Sequence, residues 1–326
     1  MEHGPETERF LATVEASIGA ALGEGRRADD PSGILDHAAR RLCMSGGKRF
    51  RAWLVHALGQ AAGASDEALA RIATSAELIH AASLLHDDVV DEGLVRRGVP
   101  TANAAYGNLV AVLAGDMLLA TAIQGLQPLG ASVICGAVDA VASMARAMIE
   151  EADARGVDLT EAQWRRIAAG KTGALLGWVG LAVGKAGGDV ALADRLAAAG
   201  EHLGVAFQAA DDLRDILATD PGKPALADLR TGTPSLPIIL AAGLDPAVAG
   251  DIAALRRMAA PDPEVVEAVA RGVRESGAMG AARAVIEREV ALAAETLGPL
   301  AASGGDRQVL RWAERLVREF TVGGEA

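Results

Sequence analysis

Two acidic clusters carry the clearest chemical signal in the chain. The first reads Asp87-Asp88-Val89-Val90-Asp91 and closes the apolar stretch 76–86; the second reads Asp211-Asp212-Leu213-Arg214-Asp215 and closes 204–210. In a helix the first and last Asp of each cluster lie four apart on one face, with the middle Asp about 100° round. Asp is a weak helix former, and like charges at this spacing repel. At about 6 Å and an effective dielectric of about 20, one such pair costs roughly 3 kcal/mol unless a cation sits between them. A single cluster is as well explained by a solvated helix end. Two, each beside a run of Ala, Leu and Val, point to cation binding.

Carboxylate oxygens are the donors that Mg2+ prefers, whereas Zn2+ would call for His and Cys. Mg2+ keeps several waters and is held by a few carboxylates together with substrate phosphates. The clusters therefore read as a site that grips a polyphosphate through its metal ions. Cations that could balance the phosphates lie close by in sequence. Arg96-Arg97 follows the first cluster and Lys223 the second, while Gly46-Gly47-Lys48-Arg49-Phe50-Arg51 and Lys171-Thr172 open or interrupt apolar stretches. His80 lies seven residues before Asp87, on nearly the same helical face, and is expected to contact ligand; His86 points elsewhere and reads as structural.

Helices must position these residues. The twelve prolines leave 32–99 and 129–220 free of proline, as long helices require. Ile72, Ser75/Ala76, Ile79 and Ala82/Ser83 recur with a helical rather than an alternating period. Thr160 with Gln163 fits a capping box, and Asp245-Pro246 and Asp262-Pro263 each fit an N-cap with Pro at the first helical position. Hydrophobic residues make up 51% of the 326 and aromatics only 3%, which suits close-packed Ala/Leu/Val helices better than a sandwich or barrel. With no linker or low-complexity tract to divide it, 1–326 reads as one all-α domain.

The formal net charge of −12 argues against nucleic acid and anionic membrane surfaces as partners. Cys43 and Cys135 sit in apolar stretches and read as buried, reduced thiols of a cytoplasmic protein. The apolar stretch 173–184 is short for a bilayer and 109–123 carries Asp116, so no transmembrane helix is expected.

Taken in order and spacing, the motifs resemble those of the trans-isoprenyl diphosphate synthase (polyprenyl synthetase) family over about 35–241. The matching elements are Gly46-Gly47-Lys48-Arg49-Phe50-Arg51, Glu77-Leu78-Ile79-His80, Leu85-His86 with the first cluster, Arg96-Arg97-Gly98, Gly115-Asp116, Lys171-Thr172, Phe207-Gln208 with the second cluster, and Gly222-Lys223-Pro224. The resemblance implies a single-domain helical bundle around a deep apolar tunnel, a homodimer, and Mg2+-dependent condensation of isopentenyl diphosphate with an allylic diphosphate. It implies that Asp87, Asp91 and Asp211 contact Mg2+, supported by Asp88, Asp212 and Asp215 as further members of the metal set. It assigns Arg96, Lys171, Thr172, Gln208 and Lys223 to the allylic diphosphate, and Lys48, Arg51, His80 and Arg97 to isopentenyl diphosphate.

Ala82 and Ser83, five and four residues before Asp87, are expected to project into the tunnel one turn below the metal site. Both are small, which resembles long-chain synthases and implies a product of C20 or longer, with Met117, Leu118 and Thr121 as deeper floor residues. The pattern departs from the family at Thr233, where a Lys is usual. A cyclase or head-to-head synthase, or a non-catalytic partner subunit, would share part of the pattern. Intact acidic clusters together with Lys48, Arg51 and Arg97 speak against both.

Overall fold

A computed structural model describes residues 4–23, 33–47, 49–96, 98–219, 225–258, 260–298 and 305–321. Lys48, Arg97 and Lys223 lie outside these residues. The fold is all-helical, as expected. In chain order it runs α1 (Pro5–Ala21), α2 (Ile34–Cys43), α3 (Phe50–Ala62), α4 (Asp66–Val90), an antiparallel pair of two-residue strands β1 (Val95–Arg96) and β2 (Val99–Pro100), α5 (Ala102–Tyr106), α6 (Asn108–Gly125) and α7 (Ala131–Asp153). Then follow α8 (Glu161–Ala168), a π turn (Ala169–Gly173), α9 (Ala174–Ala186), α10 (Val190–Ile216), α11 (Ala227–Thr231), α12 (Leu236–Leu244), α13 (Pro246–Arg256), α14 (Pro263–Glu275), α15 (Ala278–Leu297) and α16 (Gly305–Thr321).

The chain divides into two compact units. The first comprises Met1–Asp139, Trp178–Ala197 and Pro299–Val309; the second comprises Ala140–Gly177, Ala198–Gly298 and Leu310–Ala326. Boundaries fall inside α7, α9, α10 and α16.

In the first unit α4 packs on α6, α3, α1 and α2. Its 25 residues contain no Gly or Pro, Ser65 caps it by accepting from Ala68 N, and Asp66 and Glu67 complement the positive end of its dipole. Ile72 and Ile79 are fully buried, each worth about 1.5–3 kcal/mol of transfer free energy. Ser75, Ile79, Ala82 and His86 recur at helical spacing on one face. That face meets α6: Ser75 Oγ donates to Ala122 O at 2.9 Å, and His86 lies against Gly115, where a Cβ would fall 2.3 Å from the ring Nε2.

In the second unit the expected caps are all present. Thr160 and Gln163 form the capping box of α8, Asp245 accepts from Ala247 N and Val248 N, and Asp262 accepts from Glu264 N. A buried carboxylate ties α15 to α8: Glu289 takes both Arg165 Nε (2.7 Å) and Nη2 (3.0 Å), and meets His202 Nδ1 at 2.7 Å.

One expectation needs correction. Three helical segments are long and apolar enough to cross a membrane by length and composition: Asn108–Leu129, Ala131–Asp153 and Glu161–Ala186. The expectation takes 173–184 as too short and Asp116 as a break within 109–123. The helices run past those points, because one or two charges scarcely lower the mean hydropathy of a whole segment. In the third segment 61% of the apolar 18-residue stretch is buried within the protein, against 33% and 28% for the first two.

Candidate active site

Both acidic clusters occupy the last turn of a helix, with Asp91 as the C-cap of α4 and Asp215 next to last in α10. Carboxylates there oppose the negative end of the helix dipole, so this placement costs stability unless cations or donors compensate. The structure shows how some of that compensation is made within each unit.

In the first unit Asp88 is buried, and its Oδ1 accepts from Arg96 Nε at 2.9 Å and Nη2 at 2.8 Å. Its backbone oxygen and that of Gly93 accept from Asn103 Nδ2 at 3.1 and 3.0 Å, while Thr101 Oγ1 donates to Gly93 O at 2.7 Å. The strand pair and α5 thus pin the end of α4. Arg96, expected at the allylic diphosphate, here spends two donors on Asp88. Asp87 is half-buried and Asp91 exposed.

The Gly-Gly-Lys-Arg motif is held by a carboxylate whose role the sequence did not reveal. Glu77 is buried, accepts from Ala52 N at 3.1 Å in the first turn of α3, and lies 3.5 Å from Arg49 Nη1. Arg49, at the left-handed φ of 43°, also donates to Glu15 Oε2 (2.6 Å) and Cys43 O (2.6 Å). Arg51 rides on this anchored turn. Burial pushes the nearby Cys43 thiol up to about 12; Cys135, expected to be buried as well, is exposed, because its position in an apolar stretch falls on the outer face of α7.

The two residues expected below the metal site part company. Ala82 has no exposed surface and sits on the α4 face that meets α6. Ser83 is half-buried and shares its stripe with His80, Leu84 and Asp87, and its Oγ donates to His80 O at 2.9 Å. Of the pair, only Ser83 stands on the open side; a one-residue step rotates the side chain by 100°.

In the second unit the π turn presents Lys171 and Thr172; such bulges are common at functional sites. Lys171 Nζ pairs with Glu151, a partner the sequence did not suggest. Thr172 Oγ1 donates to Gln208 Oε1 at 2.8 Å, and Gln208 Nε2 donates to Asp212 Oδ1 at 2.9 Å. Asp212 Oδ2 accepts from Trp164 Nε1 and from Leu236 N, both at 2.9 Å. Asp215 accepts from Ala227 N (2.9 Å) and Asp228 N (3.1 Å). Asp212 and Asp215 therefore serve as N-terminal acceptors for α12 and α11, where negative charge is favourable. Burial raises the Asp212 carboxyl to about 7, against three donors that favour its charged form and with the Asp211 charge adding to the rise. Thr233, at the position where the family has Lys, shares a 2.7 Å hydroxyl contact with Thr231.

Among the described residues no three His, Cys, Asp or Glu side chains converge as a metal cage of protein groups alone. The donors the two clusters offer are carboxylate oxygens, and those of Asp88, Asp212 and Asp215 accept from protein donors. Such a set fits Mg2+ held by one or two carboxylates together with a diphosphate.

An all-helical fold with an acidic cluster ending one long helix in each unit, and cations beside each, defines a class of enzyme that handles diphosphates. The family model for polyprenyl synthetase matches residues 32–273, and the chain belongs to that family of prenyl-transferring enzymes. It is 37% identical over 246 residues, 71% of each chain, to the nonaprenyl diphosphate synthase of Mycobacterium tuberculosis (strain H37Rv). Among solved structures it is similar to a decaprenyl diphosphate synthase from Rhodobacter capsulatus (TM-score 0.87, 28% identity, 97% of both chains). It is also similar to a polyprenyl synthase from Caulobacter crescentus CB15 complexed with calcium and isoprenyl diphosphate (TM-score 0.86, 27% identity, 95% of this chain and 96% of that one).

Proposed function

We propose that the chain is a Mg2+-dependent trans-prenyltransferase that condenses isopentenyl diphosphate with an allylic diphosphate to give a polyprenyl diphosphate of C20 or longer. The observation that carries this reading is the split within the acidic clusters. Asp88 and Asp212 are buried and held by protein donors, while Asp87, Asp91 and Asp211 keep solvent-accessible positions beside them. That division suits three cation-facing carboxylates, with Asp88 and Asp212 as buried supports.

Asp87, Asp91 and Asp211 hold the metal ions, and Arg96, Lys171, Thr172, Gln208 and Lys223 hold the allylic diphosphate. Lys48, Arg51, His80 and Arg97 hold isopentenyl diphosphate. Mg2+ supplies stabilisation of the negative charge that grows on the diphosphate leaving group. Lys171 and Arg96 add fixed positive charge to the allylic diphosphate. The allylic C–O bond breaks with its electron pair going to diphosphate, the isopentenyl double bond attacks the allylic carbon, and a proton is lost to the departing diphosphate. Aliphatic walls keep water from the cation.

A long product is supported by the nonaprenyl and decaprenyl synthases the chain resembles, and by the small Ser83 on the open stripe of α4. We further read the chain as one catalytic domain that forms a cytoplasmic homodimer. The dimer is supported by Leu109, Val112 and Leu113, which expose an apolar stripe on α6, and the compartment by the free thiols of Cys43 and Cys135.

The test is incubation of purified protein with Mg2+, isopentenyl diphosphate and allylic primers of several lengths, with products read by mass spectrometry. Chains of at least twenty carbons are expected. Products that stop at fifteen carbons with every primer would refute the chain length, and cyclised or head-to-head products would refute the reaction.

A further inference from the structure

Trp164 lies outside every motif that the sequence singled out, yet its side chain reaches the second acidic cluster. It sits on α8, whose start is set by the Thr160–Gln163 capping box and whose flank is tied to α15 by the two bonds from Arg165 to buried Glu289. The indole is 4% exposed, and its Nε1 meets Asp212 Oδ2 at 2.9 Å across 48 residues of sequence. We propose that Trp164 is a positioning residue of the diphosphate site: its N–H, presented from a rigid helix, holds Asp212 and thereby sets how the adjacent Asp211 faces the metal ions. This rests on the function proposed above and names a residue that reading does not use.

The chemistry of the contacts supports it. Asp212 meets donors on both oxygens: Trp164 Nε1 and Leu236 N at Oδ2, and Gln208 Nε2 at Oδ1. An indole N–H and a backbone N–H can only donate, so this cradle is built for a carboxylate acceptor. Leu236 N belongs to α12 and Gln208 to α10 itself, one turn before Asp212. Of these three donors, Trp164 is the one that ties the cluster's middle carboxylate to α8, the helix that runs directly into the Lys171-Thr172 turn. Its N–H therefore keeps the carboxylate cluster and the diphosphate-binding lysine in one register.

Two substitutions separate the donor from the bulk it brings. Trp164→Phe keeps a large apolar ring and loses the N–H. Trp164→His loses volume, but its Nε2 lies the same number of bonds from Cβ as the indole Nε1 and can donate. Manganese ions with inorganic diphosphate serve as the probe, read as the metal concentration giving half of the metal-induced thermal shift. Michaelis constants for both substrates are measured alongside.

Trp164→Phe is expected to need at least tenfold more metal, the lower end of the 10–100-fold cost of losing a supporting partner. Its KM for isopentenyl diphosphate should not change, and Trp164→His should fall between it and the wild type. A purely structural tryptophan would give the reverse order, since Phe fills the space better than His. That order, or a Phe variant with wild-type metal response, overturns the proposal. Should Trp164→Phe fail to fold, Trp164→His decides: a metal response near wild type supports the proposal and a tenfold loss overturns it. A wild type that neither condenses the substrates nor responds to metal overturns the underlying function instead.

Discussion

Replacing Asp212 by alanine removes the acceptor shared by two buried donors, the indole N–H of Trp164 and the backbone N–H that opens α12. Trp164 is 4% exposed and Leu236 not at all, so water cannot stand in for the lost oxygen. A buried donor left unsatisfied costs about 1–3 kcal/mol, which puts the two together at about 2–6 kcal/mol. Gln208 adds little, because its amide is only half-buried and can turn toward water. With an unfolding entropy near 2.1 cal/mol/K per residue, a chain of this size should lose roughly 3–9 °C in Tm. Asp212→Asn keeps an oxygen for both donors, offers its amide to a reoriented Gln208, and sheds a buried charge. It should melt within a degree or two of the wild type, by about the same entropy scaling. The assay is thermal unfolding in chelator at pH 8 for all three proteins. The reasoning fails if Asp212→Ala melts with the wild type, or if the asparagine variant falls as far as the alanine one.

Excess chelator should abolish turnover, and Asp87→Ala and Asp211→Ala should each lower kcat by about 100-fold or more, because each removes charge stabilisation of the leaving group; steady-state kinetics at saturating Mg2+ checks this. Arg51→Ala should mainly raise KM for isopentenyl diphosphate, and Lys171→Ala should mainly impair the allylic substrate; equal damage to both substrates in both variants would refute the assignment. Ser83→Phe should shorten the product at little cost in stability. Ala82→Phe, forced into the closed α4–α6 contact, should cost about 1–3 kcal/mol in denaturant unfolding. Glu289 is the opposite case to a carboxyl raised by burial: burial pushes it up, but the hydrogen bonds from Arg165 and His202 outweigh this and hold it below its ordinary 4.5. A depressed acid stabilises above its unfolded value and loses that contribution as pH falls through the folded one. Glu289→Gln should therefore cost about 1–3 kcal/mol at pH 7, as expected for losing charge-assisted hydrogen bonds, with the deficit shrinking below pH 4.5 in urea titrations at several pH values.

What the sequence determined by itself was whatever depends on neighbours within a turn or two. The caps at Thr160, Asp245 and Asp262 are bonds spanning two or three residues, so their residue types are enough to place them. The helical period around Ile72 and Ile79 and the paired acidic clusters are local in the same way, and they led to the fold and the family. Tertiary structure decided which groups hold the buried carboxylates. Asp88 is claimed by Arg96, eight residues on and brought back by the strand pair, and Asp212 by Trp164 and Leu236, 48 and 24 residues away. No spacing rule encodes such partners, because the packing of separate helices sets them. The same holds for Ala82 and Ser83. Adjacent and alike in size, they diverge because α6 covers one face of α4 and leaves the next one open.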